Sequence, residues 1–178
     1  FLVPVGRGAA LREFALAAGE AETALEWALT MNARGPLPVK TTCAPQVVRI
    51  RRRLGLDAPA SGARRYGGAA AGGCLAGRGF VFISHTGILQ PCGFLDVPSG
   101  DLRQHGFDFR RAYETSPVFN DLRQPDRYGG ACGTCGFSQG CGGCRARAYA
   151  ATRDYMAAET SCPLAAIRGS AAPRPAAE

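Results

Sequence analysis

The 178-residue sequence lacks the features that mark membrane and exported proteins. No apolar run approaches the roughly 20 residues that a bilayer-spanning helix needs, so we expect a soluble protein with no membrane partner. The N-terminus has neither the charged segment nor the apolar segment of a signal peptide. The chain also starts at Phe1 without an initiator Met, which predicts a piece of a longer polypeptide.

Acidic side chains are scarce relative to basic ones. The chain has 21 Lys and Arg against 14 Asp and Glu, a formal charge of +7, and Lys40 is its only lysine. Such a balance suits nucleic acid, an anionic membrane surface or an acidic small molecule. A solvated, arginine-rich surface explains it equally well, so charge does not select a partner. The remaining features of the sequence give us no reason to expect nucleic acid as one.

Cysteine, in contrast, is abundant, and five of the eight cysteines fall close together: Cys132, Cys135, Cys141, Cys144 and Cys162. The first four form two C-x-x-C pairs five residues apart, with glycines filling the loops. Glycine adopts left-handed backbone conformations, which lets such loops fold tightly and direct N–H groups at sulfur. Cys162 precedes a proline, and a Cys-Pro also ends the ligand run of bacterial ferredoxins. The pattern predicts an iron–sulfur site.

Two other interpretations of the cysteines stay open. Disulfides require export, and without a signal the clustered pairs indicate metal binding in a reducing, cytoplasmic compartment. A non-catalytic zinc module that binds nucleic acid or protein would use Cys132, Cys135, Cys141 and Cys144 as a tetrahedral site, which also fits the basic charge. Zinc ribbons, however, separate their pairs by about 15 to 20 residues, and zinc leaves three further cysteines without a role.

The N-terminal 55 residues predict part of an α/β fold. Residues 1–5 (FLVPV) read as a buried strand that ends in a loop, residues 20–33 as a helix, and residues 37–42 as a second strand. This is one βαβ unit, as at the end of a (β/α) barrel. Cys43 follows the second strand, where ligands bind in such folds, or it is a buried small hydrophobe.

Composition divides the rest of the chain. A basic run at 49–53 (RIRRR) leads into a segment rich in Gly, Ala and Pro. We predict a barrel piece over 1–55, a linker over 56–73, a cysteine-rich domain over 74–165 and a disordered tail over 166–178. The overall fold class is therefore α/β followed by a small α+β domain.

The predicted cysteine-rich domain opens with a β-hairpin over 79–92, which brings Cys74 and Cys92 near each other. His85 in its turn is predicted to face solvent. Residues 101–123 are predicted to be mostly helical, with Ser116 capping one helix, and a further helix is predicted over 145–158. The predicted small core consists of Phe107, Phe109, Tyr113, Val118, Phe119 and Leu122.

The cysteine spacing resembles the SPASM domain of radical S-adenosylmethionine enzymes. That domain has the pattern C-x9-15-G-x4-C, C-x2-C-x5-C-x3-C and a final C, and this chain departs from it with two residues rather than three before Cys144. The strings FLVPVGRG, TTCAP, GRGF, SHTG, QPCG, DRY and CGGCRARAYA resemble the tetrapyrrole-modifying branch, which makes haem d1 and, by the alternative siroheme route, haem b. That branch shares the shorter spacing. Peptide-maturing relatives share the cysteine frame and remain an alternative.

The resemblance implies ligand sets for two auxiliary [4Fe–4S] clusters. One would use Cys132, Cys135, Cys141 and Cys162. The other would use Cys74, Cys92 and Cys144, with the fourth place filled by Cys43, by a small molecule or by water, unless this cluster is absent.

The resemblance also implies what this chain does not contain. Radical S-adenosylmethionine enzymes hold their catalytic cluster with C-x3-C-x2-C, a spacing absent here. The full-length enzyme would cleave S-adenosylmethionine and use the 5′-deoxyadenosyl radical to abstract hydrogen from a tetrapyrrole propionate or acetate side chain, with ferredoxin or flavodoxin as electron donor. This chain alone is not expected to be active. The arginines of residues 49–53 either pair with substrate carboxylates or form a solvated face.

Overall fold

The computed structural model describes residues 1–56 and 73–167. The predicted linker over 56–73 and tail over 166–178 therefore lie almost entirely outside the described residues. The exceptions are residues 56 and 73 at the ends of the predicted linker, and residues 166 and 167, which end a helix. None of the helices in the described ranges is long and apolar enough to cross a bilayer.

The N-terminal part contains two helices, α1 (Ala18–Arg34) and α2 (Val47–Arg53). The α1 face that carries Leu25 and Leu29 packs against Val47 and Ile50 of α2. Each buried Leu or Ile stabilises the fold by about 1.5–3 kcal/mol. Glu20 accepts a 2.8 Å hydrogen bond from the N–H of Ala17 and so caps the start of α1. The helix predicted over 20–33 is confirmed and is slightly longer.

The strands predicted over 1–5 and 37–42 are not formed in the described structure. The two segments do approach each other, since the Phe1 amine donates to the Thr42 carbonyl at 3.1 Å. A strand, however, needs a ladder of such bonds along its length. Residues Gly6–Phe14 instead form a 3-10 helix. The βαβ unit is therefore not observed here, and the barrel assignment stays a prediction.

The cysteine-rich part begins with a small antiparallel sheet. Strands β1 (Phe82–Ile83), β2 (Ile88–Gln90) and β3 (Gly100–Asp101) lie in the order β1-β2-β3. Phe82 pairs with Gln90 across the predicted hairpin, which is confirmed, and Ile88 pairs with Asp101. Gly87 makes the turn with a φ of 84°, which other residues rarely adopt. The third strand was not predicted.

Helices α3 (Phe109–Glu114) and α4 (Pro117–Leu122) cover the sheet. Ser116 caps α4 as predicted, because its hydroxyl accepts from the Phe119 N–H. Phe119 and Leu122 are fully buried, whereas Phe107 and Phe109 are 71% and 44% exposed, so their assignment to the core was wrong. Phe107 has a left-handed backbone with φ 63°, which ends a surface turn and directs the ring outward.

The five clustered cysteines, Cys132, Cys135, Cys141, Cys144 and Cys162, lie on and between short helices. After a 3-10 turn at Pro125–Arg127 come α5 (Gly130–Gly133), α6 (Arg145–Thr152) and α7 (Pro163–Ile167). The helix predicted over 145–158 ends early, because Arg153 adopts a left-handed conformation that terminates α6. Helix α7 was not predicted.

The two predicted domains share a hydrophobic core. Val3 from the N-terminal part packs with Leu95, Leu122 and Cys144 from the cysteine-rich part. The described chain is thus a mixture of short helices and one small sheet, with residues 1–56 in direct contact with the cysteine-bearing segments. The division into barrel piece and SPASM domain stays a prediction.

Candidate metal centre

One cavity is lined by four of the eight thiols. They are Cys132, Cys135, Cys141 and Cys162, which we call the first thiol group. Helix α5 carries Cys132, the loop after it carries Cys135 and Cys141, and Cys162 directly precedes α7. Residues far apart in sequence are therefore brought to one place by α5 and α7, which are in contact.

Backbone N–H groups point at two sulfurs of the first thiol group. The Glu159 N–H donates to Sγ of Cys132 at 3.3 Å, and the Phe137 N–H donates to Sγ of Cys135 at 3.4 Å. Such bonds stabilise the thiolate form that binds iron and tune the potential of an iron–sulfur centre. The donor set fits a thiolate-ligated cluster.

The other two thiols of this group, Cys141 and Cys162, are half-buried. Burial raises the pKa of Cys141 to about 12, opposed by a hydrogen bond from the Gly143 N–H. Burial also raises the pKa of Cys162, opposed by the N–H of Leu164. Because metals bind the thiolate, a metal centre held here would displace these protons.

Gly143 leaves room beside Cys132 that no other residue would leave. Its φ is +60°, and an added Cβ would lie 2.6 Å from Cβ of Glu159 and 3.2 Å from Sγ of Cys132. The same Cβ would lie 2.7 Å from Nη2 of Arg145, so a side chain at this position would displace Glu159, the guanidinium and the sulfur. The loop thus needs glycine for both its backbone conformation and its close packing.

The remaining cysteines, Cys43, Cys74, Cys92 and Cys144, form a second thiol group. Cys43, Cys92 and Cys144 pack in the core that also contains Val3. Cys74 interacts electrostatically with each of these three thiols. The sequence left the fourth ligand beside Cys74, Cys92 and Cys144 open, and the structure places the Cys43 thiol near these three.

Burial raises the pKa values of three thiols in the second thiol group, Cys43, Cys92 and Cys144. It raises the pKa of Cys144 to about 12, and the Glu159 carboxylate adds to this increase. It also raises the pKa values of Cys43 and Cys92, to which Cys74 contributes a smaller increase. The Arg147 charge acts in the opposite direction on Cys43 and Cys144.

The second C-x-x-C pair is divided between the two thiol groups. Cys141 lines the cavity of the first thiol group, whereas Cys144 packs in the core with Cys43 and Cys92. Gly142 and Gly143, with φ of 68° and 60°, turn the chain between the two cysteines.

The zinc interpretation instead requires the sulfurs of Cys141 and Cys144 at about 2.3 Å from one ion. No set of three His, Cys, Asp or Glu side chains in residues 1–56 and 73–167 is arranged to hold a single metal ion, and this applies to both thiol groups as much as to a zinc site over 132–144. In a cluster, different thiolates bind different irons.

A buried ion pair connects the two thiol groups. The Glu159 carboxylate accepts from Nη1 of Arg147 at 2.9 Å and from the N–H of Cys144 at 2.7 Å. Arg147 also donates to the carbonyls of Leu2 and Cys43, at 3.0 and 2.8 Å. It thereby ties the N-terminal part to the cysteine-rich part.

Arg145, Arg147 and Glu159 were missed as site residues from the sequence. The available signal was the placement of two arginines directly after the cysteine pair, in CRAR. An arginine one turn from predicted thiolate ligands is well placed to compensate their charge. Glu159 carried no comparable signal, because nothing in its sequence neighbourhood indicates burial.

The basic run over 49–53 is not a uniformly solvated face. Arg49 is 8% exposed and forms two hydrogen bonds with the Glu22 carboxylate. Arg53 pairs with Glu26, and Arg52 lies over the ring of Phe137 at 5.9 Å from its centroid. Arg49 is therefore held by α1 rather than displayed for a substrate carboxylate. His85 is exposed in its turn, as predicted.

Comparison with known proteins finds similar enzymes over most of this chain. The AdoMet-dependent heme synthases of Nitratidesulfovibrio vulgaris and Methanosarcina barkeri are each 40% identical to it, over 163 and 164 residues, or 90% and 91% of its length. The resemblance to the haem-forming branch is confirmed. The AdoMet-dependent heme synthase of Oleidesulfovibrio alaskensis is 38% identical over 163 residues.

The chain spans less than half of these heme synthases. The matched regions cover 44%, 46% and 42% of the three relatives. No protein-family model matches the chain, and no solved structure matches it.

Proposed function

We propose that this chain is the auxiliary iron–sulfur part of a radical S-adenosylmethionine enzyme of haem biosynthesis. The parent enzyme would be an oxidoreductase or lyase acting on propionate or acetate side chains of a tetrapyrrole. The similarity to enzymes named AdoMet-dependent heme synthase, over about nine-tenths of the chain, supports the pathway.

The division of the thiols carries the cluster assignment. A [4Fe–4S] cluster in the first thiol group would be held by Cys132, Cys135, Cys141 and Cys162, and the presence of Cys162 in that group is what a four-cysteine zinc site over 132–144 does not explain. A second cluster would be held by Cys74, Cys92 and Cys144 with Cys43 as its fourth thiolate. Bound clusters of this type exchange single electrons.

The protein's own residues prepare the two thiol groups for this role. Backbone N–H groups donate to Cys132 and Cys135, and the core that contains Leu95 and Leu122 buries Cys144 of the second group. Both effects tune the potential of an iron–sulfur centre.

The parent enzyme needs components outside this chain. We propose that S-adenosylmethionine and a further [4Fe–4S] cluster bind to a C-x3-C-x2-C motif, which this sequence does not contain, and that ferredoxin or flavodoxin supplies electrons. A peptide-maturing parent with the same cysteine frame is the alternative. The names of the relatives favour the tetrapyrrole.

Anaerobic reconstitution of the full chain tests the cluster proposal. The wild-type chain should bind iron and labile sulfide and give an EPR signal after dithionite reduction. Cys132→Ala should lose part of both, whereas Ser138→Ala, which changes a cavity-lining residue that is not a ligand, should lose neither. About four irons per chain would limit the protein to one cluster, and about eight would support two. Stoichiometric zinc without labile sulfide would contradict the proposal.

A hybrid enzyme tests the haem assignment. This chain would replace the matching segment of the Nitratidesulfovibrio vulgaris heme synthase, and haem formation would be measured with S-adenosylmethionine. The hybrid should form haem, and its Cys132→Ala variant should form much less. A hybrid that holds its full iron complement but forms no haem would contradict the tetrapyrrole assignment while leaving the cluster proposal intact.

A further inference from the structure

Arg145 is a charged side chain with no exposed surface. Its Nη1 donates to the carbonyls of Tyr155 and Ala157 at 3.1 and 2.7 Å, and its Nε donates to the Gly143 carbonyl at 3.3 Å. Its remaining nitrogen, Nη2, lies 3.6 Å from Sγ of Cys132. The guanidinium thus has one sulfur and three carbonyls as hydrogen-bond partners.

The positive charge of Arg145 lacks a carboxylate partner. Among the ion pairs of residues 1–56 and 73–167, Arg147 pairs with Glu159, but Arg145 pairs with no acidic side chain. The guanidinium also lies 4.3 Å from the ring centroid of Tyr128, a cation–π contact. Carbonyls and a ring offset only part of the cost of burying a full charge.

Among these four hydrogen-bond partners of the guanidinium, the Cys132 sulfur is the one that can carry a negative charge. As a thiol it would contribute none, but as a thiolate it would form a charge-assisted hydrogen bond with Nη2. The same sulfur accepts from the Glu159 N–H at 3.3 Å, so two donors converge on it.

We propose that Arg145 is a positioning residue that stabilises negative charge on the Cys132 thiolate and so raises the reduction potential of the cluster in the first thiol group. The inference rests on the proposed function. Reduction by a low-potential carrier adds one electron and no proton, and no bond is formed or broken. A fixed positive charge beside a ligating sulfur favours the more negative, reduced state.

The potential can be measured by dithionite titration of the reconstituted full chain, followed by EPR. The signal of the first thiol group is the one that Cys132→Ala removes. Arg145→Gln keeps a polar side chain but removes the charge, and Arg145→Lys keeps the charge but removes the planar fork. Arg123→Gln is the matched control, because Arg123 lies over the ring of Tyr113 and has no sulfur partner among the described residues.

Arg145→Gln should shift the midpoint of that signal to more negative potential, whereas Arg145→Lys and Arg123→Gln should stay close to wild type. An unchanged midpoint in Arg145→Gln with full iron content would overturn the inference. If Arg145→Gln loses its cluster, the test passes to Arg145→Lys. A wild-type midpoint in Arg145→Lys would support the role of the charge. Loss of the cluster in Arg145→Lys would show that the shape of the guanidinium, and not its charge, is required, and would overturn the inference. A wild-type chain that binds no iron–sulfur cluster would instead overturn the proposed function, and this inference with it.

Discussion

Glu159 and Arg147 form an ion pair whose side chains are 0% and 7% exposed. In contrast, Arg110 and Glu114 pair on the surface of α3 with exposures of 84% and 55%. Exposed pairs contribute little because water and salt screen them. A buried pair that loses one partner leaves an uncompensated charge in the protein interior, which is far more costly.

Replacing Glu159 should therefore destabilise the chain strongly. Glu159→Gln removes the negative charge beside Arg147. Both carboxylate oxygens accept from N–H groups, of Cys144 and of Ser161, so the amide NH2 of glutamine would face a donor in place of an acceptor. We expect a loss of about 3–5 kcal/mol in the free energy of unfolding, measured by urea denaturation. The matched Glu114→Gln should lose less than about 0.5 kcal/mol. Similar losses in the two variants would show that the buried pair has no special role.

Tyr155 gives the stability of the chain a dependence on alkaline pH. Burial, together with its hydrogen bond to Asp121, raises the pKa of Tyr155 from 10.0 to about 12. The folded state thus favours the protonated phenol. Its contribution is complete below the unfolded pKa of 10.0 and is lost as pH rises through about 12.

Tyr155→Phe should remove this contribution. The phenol donates to Asp121 at 3.0 Å, and losing this bond should cost about 1 kcal/mol at neutral pH. The difference in unfolding free energy between wild type and variant should shrink between about pH 10 and about pH 12. Urea denaturation across this range measures it. A difference that stays constant to the alkaline end would show that Tyr155 does not titrate with a raised pKa.

At the scale of elements, the loop between α5 and α6 depends on particular glycines. Gly143 has φ +60°, and a Cβ there would lie 2.6 Å from Glu159 and 3.2 Å from the Cys132 sulfur. Gly136 in the same loop has nothing within 4 Å of an added Cβ. Alanine at Gly143 would test both close packing and loop flexibility, whereas alanine at Gly136 would test loop flexibility alone.

Gly143→Ala should lower both stability and iron binding. The strained φ and the close contacts should together cost about 2–4 kcal/mol and reduce the iron content of the reconstituted chain. Gly136→Ala should leave both within error of wild type. Urea denaturation and iron analysis of the two variants measure the contrast. Equal effects would show that loop flexibility, and not space beside Cys132, is what the glycines provide.

Elements with strong local signals were predictable from the sequence. The apolar spacing of Leu25 and Leu29 predicted α1, and Thr86-Gly87 predicted the hairpin. The strands over 1–5 and 37–42 were wrong because strand formation depends on a neighbouring backbone, which the sequence of the strand does not specify. Helix α6 ended early because Arg153 is left-handed, a conformation that its residue type does not indicate.

At the scale of the whole molecule, the N-terminal and cysteine-rich parts meet at the second thiol group. Arg147 holds the carbonyls of Leu2 and Cys43, and Cys43 packs in the core with Cys92 and Cys144. All eight cysteines were predicted as candidate ligands, but the position of Cys43 was left open. Cys43 lies near Cys74 because of tertiary contacts between segments that are distant in sequence. The periodicity and the cysteine spacing of the sequence carry no information about such contacts.

The division of the thiols is tested most directly by comparing Cys162→Ser with Cys144→Ser. Each variant of the reconstituted full chain should lose about half of the iron and labile sulfide, and the two should lose different EPR signals, since each serine removes a ligand from a different thiol group. A zinc site over 132–144 predicts another result. Stoichiometric zinc that persists in Cys162→Ser and disappears in Cys144→Ser would show that the thiols are not divided between two clusters.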